Sequence, residues 1–285
     1  MSLSSARNVL KPETILKNAK ILVSDFDETI TNKDTISLVF QAAYDYKPDF
    51  PKSQQYFVDV YMKNYNQFIN SNKIKRDSIE NEIFFQKQLK KIELSSIKEY
   101  ERLELFKDVP KKNFSQKASL VESKKGFIDF INLESSNKKF IILSVNWTRI
   151  IIEQFLQKLF LNPNDFIIIA NEFEFDNEIC LGSSSLSLCN DDSFFNPENF
   201  SLKDGIRTGY DKLLIIQKII NYYQLNVNNG EIVYIGDSST DVLPMIECQR
   251  GIIMKGGSAS KLLNDLGFSD NNNFLEVKDW TDLIK

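Results

Sequence analysis

The chain has 285 residues, 42% hydrophobic and 26% charged, ordinary values for a folded protein of one large domain or a core with a smaller second unit. Lys plus Arg (35) against Asp plus Glu (39) leaves a net charge of −4 with no Lys/Arg stripe among aromatics, so no nucleic-acid partner is expected. There is no histidine, which excludes Ser-His-Asp and Cys-His hydrolases and His-ligated zinc, and leaves acid–base chemistry near neutral pH to carboxylates, Lys, Cys or Tyr.

The opening segment, MSLSSARNVLKPE, lacks the apolar stretch of a secretory signal, and no run of about 18 apolar residues occurs, so no membrane partner is expected. Cys180, Cys189 and Cys248 form no close-spaced ligand pair and read as reduced thiols of a cytoplasmic protein. The first apolar run, Ile21–Ser24, reads as a buried strand. Over 100 residues without a strand signal follow it, with amphipathic helices expected over 34–46, 54–70, 78–91 and 94–106 and a break at Lys47-Pro48-Asp49-Phe50-Pro51. Further buried strands are expected at 140–143, 166–170, 232–235 and 251–254. Helices at 150–160, 210–223 and 241–247 separate several of them. After the third strand a hairpin is expected around Asp176-Asn177, and the Ser-, Asn- and Asp-rich stretch 183–208 reads as a loop. Strands buried on both faces and alternating with helices predict an α/β fold, a Rossmann-like doubly wound parallel sheet carrying an inserted all-helical unit.

Ligands of such sheets bind beyond the carboxyl ends of the strands. There the sequence offers Ser24-Asp25-Phe26-Asp27-Glu28-Thr29 after the first strand and Ser144-Val145-Asn146 after the second. Gly236-Asp237-Ser238-Ser239-Thr240-Asp241 follows the fourth strand, and Lys212 opens a helix. Singly, each has a capping or turn explanation. Together, Asp25, Asp27, Asp237 and Asp241 would face one crevice, where two carboxylates about 4 Å apart repel by about 4 kcal/mol at an effective dielectric of about 20. A hard, oxygen-seeking cation that keeps waters for phosphate, Mg²⁺, suits such a site. Hydroxyls, a lysine and helix N-termini suit phosphate oxygens. One aspartate can then attack phosphorus and a second, two residues on, can move the protons.

DFDETIT, the Ser after the second strand, the Lys opening a later helix and GDSSTD resemble the four ordered motifs of the haloacid dehalogenase superfamily, whose phosphatases carry DxDx[TV]. The resemblance implies a phosphatase acting on a small phosphorylated metabolite, with Asp25 as nucleophile, Asp27 as general acid–base, and Thr29, Ser144, Asn146 and Lys212 around the phosphate. It implies Mg²⁺ held by Asp25, the backbone carbonyl of Asp27, and Asp237, with Asp241 as a ligand or behind one. The helical insertion is similar to the C1 cap of the phosphoserine phosphatase-like branch, which divides the chain into a core (1–33 and 116–285) and a cap (34–115). NEFEFDNEICLG, from Asn171 to Gly182, also looks like that branch. Asp34 falls where phosphoserine phosphatases carry a substrate-facing glutamate, or it caps the first insertion helix. Arg76, Arg102, Lys98 and Trp147 are further candidates for substrate contact. Glu28 and Val145-Asn146-Trp147 depart from the family pattern, so a phosphoserine substrate does not follow. A phosphotransferase and a non-catalytic phospho-ligand-binding module are the alternatives; a dehalogenase normally lacks the second aspartate of DxD.

Overall fold

The computed structural model describes residues 10–184, 188–191, 202, 204–268 and 272–284. In chain order these form α1 (Pro12–Leu16), β1 (Ile21–Ser24), α2 (Ile36–Tyr46), α3 (Gln54–Asn72), α4 (Ile79–Arg102), α5 (Lys111–Lys117), α6 (Phe127–Glu134) and β2 (Lys139–Leu143). Then come α7 (Arg149–Lys158), β3 (Phe166–Ile169), β4 (Glu172–Asp176), β5 (Ile179–Ser184), α8 (Gly209–Tyr222) and β6 (Ile232–Gly236). The last four are α9 (Val242–Cys248), β7 (Gly251–Met254), α10 (Ala259–Asp265) and β8 (Phe274–Val277).

Six parallel strands form one sheet in the order β3-β2-β1-β6-β7-β8. Alternate residues of each strand feed separate cores, as the two-residue period requires. Leu22, Ile142, Ile168 and Val233 pack on one face with α7 and Trp280, while Ile21, Val23, Ile141 and Ile232 pack on the other with α8, α9 and α10. Both faces are covered, so the central strands read as unbroken apolar runs. Ser24 pairs with Ile142 on one side and Ile235 on the other, so the carboxyl ends of β1, β2 and β6 lie level. The polar residues that follow them therefore meet.

The insertion after β1 is helical, and its contacts place it over that end of the sheet. On α4, Gln86 Oε1 accepts from the backbone N–H of Gly209 (3.0 Å), and Lys90 Nζ reaches Asp211 (2.7 Å). The β4–β5 hairpin fastens the insertion's far end, where Ser183 donates through its N–H and hydroxyl to Glu101 (2.9 and 2.6 Å).

Three expectations change. The helices expected over 78–91 and 94–106 are one, α4, because nothing between Lys91 and Leu94 breaks it and Leu89, Ile92, Ser96 and Ile97 continue one packed face. Strand β8 gives no buried run because it is a half-exposed edge, with Glu276 among its four residues. The short helices α1, α5 and α6 carry too few turns for a periodic signal. Most of the loop expected over 183–208 lies outside the described residues.

Candidate active site

Asp25 is the first residue beyond β1. Its N–H donates to the Ile235 carbonyl (2.8 Å), extending the ladder by one position, and the residue is 6% exposed. Lys212, fully buried near the start of α8, donates to Asp25 Oδ1 (2.8 Å) and to Asp241 Oδ1 (2.7 Å). A capping box holds that helix end, with Asp211 Oδ2 accepting from the N–H groups of Arg207 (2.9 Å) and Thr208 (3.0 Å). Burial opposes the lysine's charge, but Asp241 and Asp25 outweigh it and lift its pKa above the usual lysine value.

One oxygen each of Asp25, Asp237 and Asp241 lie within 4.8 Å of one another. Such crowding is unfavourable for like charges. Burial, with Asp241 next and Asp237 behind it, pushes Asp25 well above the carboxylate range, while burial and then Asp241 raise Asp237 to about 7. The three acids do not stand alike. Asp241 is saturated, its Oδ1 accepting from Lys212 and Tyr234 (2.8 Å) and its Oδ2 from Asp237 N (3.2 Å), Ser238 N (2.9 Å) and Ser238 Oγ (2.9 Å). Asp25 gives one oxygen to Lys212, and Asp237 one to the Thr29 hydroxyl (3.0 Å). The remaining oxygen of each takes no hydrogen bond from the described residues. Oxygen donors this crowded, with their charge only partly matched, fit a divalent cation of the magnesium type. Close approach also needs glycine twice. A Cβ on Gly236 would meet Asp241 Cγ at 2.5 Å, and one on Gly257 would meet Asp237 O at 2.2 Å.

Asp27 is half-buried and points to a different set of partners. Its Oδ1 accepts from the N–H (2.8 Å) and hydroxyl (2.6 Å) of Thr35, and its Oδ2 from Asn146 Nδ2 (3.1 Å). Burial, reinforced by the charge of Asp34, raises its pKa to about 6 against those hydrogen bonds. Ser144 is fully buried, with its Oγ accepting from Asn146 N (3.0 Å). Thr29 is also buried, and its carbonyl accepts from Trp280 Nε1 (2.9 Å), which ties the chain's last turn to this loop. Glu28 is exposed and has φ 57°, a conformation where glycine is favoured.

Between the insertion and the core lies a cavity of about 440 Å³ that none of Asp25, Asp27, Ser144, Lys212 and Asp237 lines, but that the chain neighbours of Asp27's partners Thr35 and Asn146 do. Asp34 and Trp147 both line it. Asp34 Oδ1 also accepts from Ile36 N (2.6 Å), so it steadies the start of α2 while remaining at the cavity. Trp147 is half-buried against Phe40 (centroids 5.2 Å) and Tyr100 (4.9 Å), and serves both packing and lining. Arg76 and Arg102 are not brought to the cavity. Arg76 forks onto buried Glu82 (2.5 and 2.8 Å) and Arg102 onto Glu99 (2.9 and 2.7 Å); Lys98 is exposed on α4 and does not line the cavity either. Charge alone singled out these three, and charge does not tell which helix face turns inward.

Sequence reasoning missed Tyr234, Thr35, Gly257, Glu93 and Arg207. Tyr234 sits inside an apolar strand run, and only the alternation of faces places it beside Asp241. Arg207 lines the cavity from the core, directly before the cap of α8.

No family model matches the chain. A CTO1 family protein of Schizosaccharomyces pombe is 28% identical over 233 residues, covering 78% of this chain and 76% of that protein. Cold tolerance protein 1 of Saccharomyces cerevisiae is 25% identical over 258 residues, covering 79% and 75%. Among solved structures, a phosphoserine phosphatase in its apo form superposes with a TM-score of 0.53 at 16% identity, over 93% of this chain and 98% of that one. The chain thus shares the fold of that phosphoserine phosphatase and of a HAD family hydrolase from Salmonella enterica, which superposes with a TM-score of 0.52 at 13% identity over 84% of this chain and 64% of that one.

Proposed function

We propose that this protein is a Mg²⁺-dependent phosphomonoester hydrolase that acts on a small phosphorylated metabolite through an aspartyl-phosphate on Asp25. The observation that carries this reading is the pairing of Asp25, held at 2.8 Å by buried Lys212, with Asp27, a carboxyl of pKa about 6 two residues away. A nucleophile must be charged and fixed, and a general acid–base must change protonation near neutral pH. Lys212 opposes the rise that burial and the neighbouring acids impose on Asp25, and a bound cation would complete that charge, whereas Asp27 has no cation beside it among the described residues and keeps its raised pKa.

Asp25 attacks phosphorus, and Asp27 gives its proton to the leaving alcohol. Asp27 then takes a proton from the water that opens the acyl phosphate, so the cycle returns both aspartates to their first state. Thr35 and Asn146 orient Asp27 through the bonds described above. Asp25, the backbone carbonyl of Asp27, and Asp237 would hold Mg²⁺, which supplies charge to offset that of the phosphoryl group. Asp241, with all its bonds made, acts behind them by holding Lys212 and the Asp237–Ser238 turn. Lys212, Ser144 and Thr29 are the protein's phosphate-facing donors in this reading. Residues 34–115 act as a cap that limits entry to small substrates. Among the described residues no helix is long and apolar enough to cross a membrane, and the three cysteines are free; we read the protein as cytoplasmic.

The test is release of inorganic phosphate from 4-nitrophenyl phosphate. Turnover should require Mg²⁺ and vanish in excess chelator, and Asp25→Asn should abolish it while the far-ultraviolet circular dichroism stays that of the parent. Full activity in chelator would reject the metal, and an active Asp25→Asn would reject the nucleophile.

A further inference from the structure

The cavity between the insertion and the core constrains the substrate more closely than the carboxylates do. Its volume of about 440 Å³ falls within the about 300–1,000 Å³ of clefts that bury drug-sized ligands. Phe40, Phe57, Ile97, Val145 and Trp147 make its walls mainly apolar and aromatic. A serine-sized leaving group would leave most of that volume empty and most of that surface wet, an arrangement that gains little binding.

One basic residue, Arg207, lines the cavity. Arg207 is 8% exposed and donates through Nε to the Asp204 carbonyl (2.8 Å), while its Nη1 is buried with no partner among the described residues. The guanidinium is the basic group among the residues that line the cavity, and its cavity-facing part suits an accepting oxygen of a ligand. Glu93, also at the cavity, accepts from the Tyr61 hydroxyl (2.9 Å) and lies near enough for the Arg207 charge to act on it. Glu93 makes no hydrogen bond to Arg207 Nη1, which has no partner among the described residues.

We propose that the substrate is a phosphate monoester whose alcohol carries a flat, largely apolar ring with a hydrogen-bond-accepting oxygen, the ring against the aromatic wall and the oxygen on the Arg207 guanidinium. This rests on the phosphatase reading of Asp25. The chemistry is unchanged: the ester P–O bond breaks, the ring-bearing alcohol leaves with the proton of Asp27, and water supplies the oxygen of the released phosphate. Arg207 enters from the core strand–helix connection, so the discrimination belongs to the core as well as to the insertion.

The experiment compares kcat/KM for phosphoserine, benzyl phosphate and 4-carboxybenzyl phosphate in the parent and in Arg207→Gln. In the parent the carboxybenzyl ester should exceed the benzyl ester by about 10–100-fold, the scale of one well-placed polar contact, and both should exceed phosphoserine. In Arg207→Gln the carboxybenzyl-to-benzyl ratio should fall at least about tenfold. Arg207→Lys, which keeps the charge but loses the planar fork, should give an intermediate ratio and serves if the glutamine variant does not fold. A ratio that survives in a folded variant, or a preference for phosphoserine, overturns the substrate class while the turnover itself upholds the phosphatase reading. As an independent measure, 4-carboxybenzyl alcohol should perturb the tryptophan fluorescence of the parent but not of Trp147→Phe. Perturbation without any phosphate release from any ester would reject the phosphatase reading and keep the ring site. No perturbation alongside normal ester turnover would reject the ring site alone.

Discussion

Lys212→Met removes the cation that Asp25 and Asp241 share and replaces it with an apolar chain of similar length. At 2.8 and 2.7 Å each contact is worth about 6 kcal/mol of Coulomb attraction at an effective dielectric of about 20. Desolvating the three charges offsets most of that, so the net loss should approach the roughly 3–5 kcal/mol of a buried charge deprived of its partner. The loss should depend on pH. Burial first, then Asp241 and Asp237, already raise Asp25, and losing the lysine raises it further. A carboxyl whose folded pKa exceeds its unfolded value contributes stability that is present at low pH and lost as pH rises through the folded pKa. The variant should therefore lie close to the parent near pH 5 and fall short of it at pH 8. Urea denaturation in chelator at both values measures this, and added Mg²⁺ should return part of the deficit at pH 8 by supplying another cation. A deficit below about 1 kcal/mol at pH 8, or one equal at the two pH values, would refute the argument.

Asp27→Asn keeps the nucleophile but removes the proton carrier, so turnover should drop by about 10²–10⁴-fold for alkyl phosphates and less for 4-nitrophenyl phosphate, whose leaving oxygen needs little protonation. Steady-state kinetics on both esters tests it, and equal damage would count against the acid–base role. Glu28→Gly should raise stability by about 0.5–1 kcal/mol, because Glu28 holds φ 57° on an exposed turn, whereas Glu28→Ala should not; thermal melts of the pair decide. Burial lifts Glu172 from its ordinary 4.5 to about 7 against its bonds from Thr148 and Phe173. The parent thus loses stability as pH rises between those values, and Glu172→Gln should flatten that slope in denaturation curves at pH 5, 6, 7 and 8.

The sheet core could be read from the residues alone, and so could the polar residues that cluster at its carboxyl edge. Strands buried on both faces leave apolar runs such as Ile232–Ile235 that no loop would carry, and the acids and hydroxyls just beyond them lie within a few residues of a strand end. Local geometry then brings them to one edge. Asp25, Asp27, Ser144, Asp237 and Asp241 were legible for that reason, and Lys212 because it opens a helix. Only the tertiary structure decided what each does with its partners. Lys212 lies 187 residues from Asp25, and Thr29 lies 208 from Asp237, so no spacing along the chain encodes those bonds. Nor could spacing tell Asp237, with an oxygen to spare, from Asp241, which has none. The same limit governs the cavity. Arg76 and Arg207 are both arginines beside helix starts, but one is spent on Glu82 within its own insertion while the other, from the core, is left with a buried donor unmatched among the described residues. A guanidinium's role follows from what surrounds it, and that environment is assembled from distant segments only when the insertion closes over the strand ends.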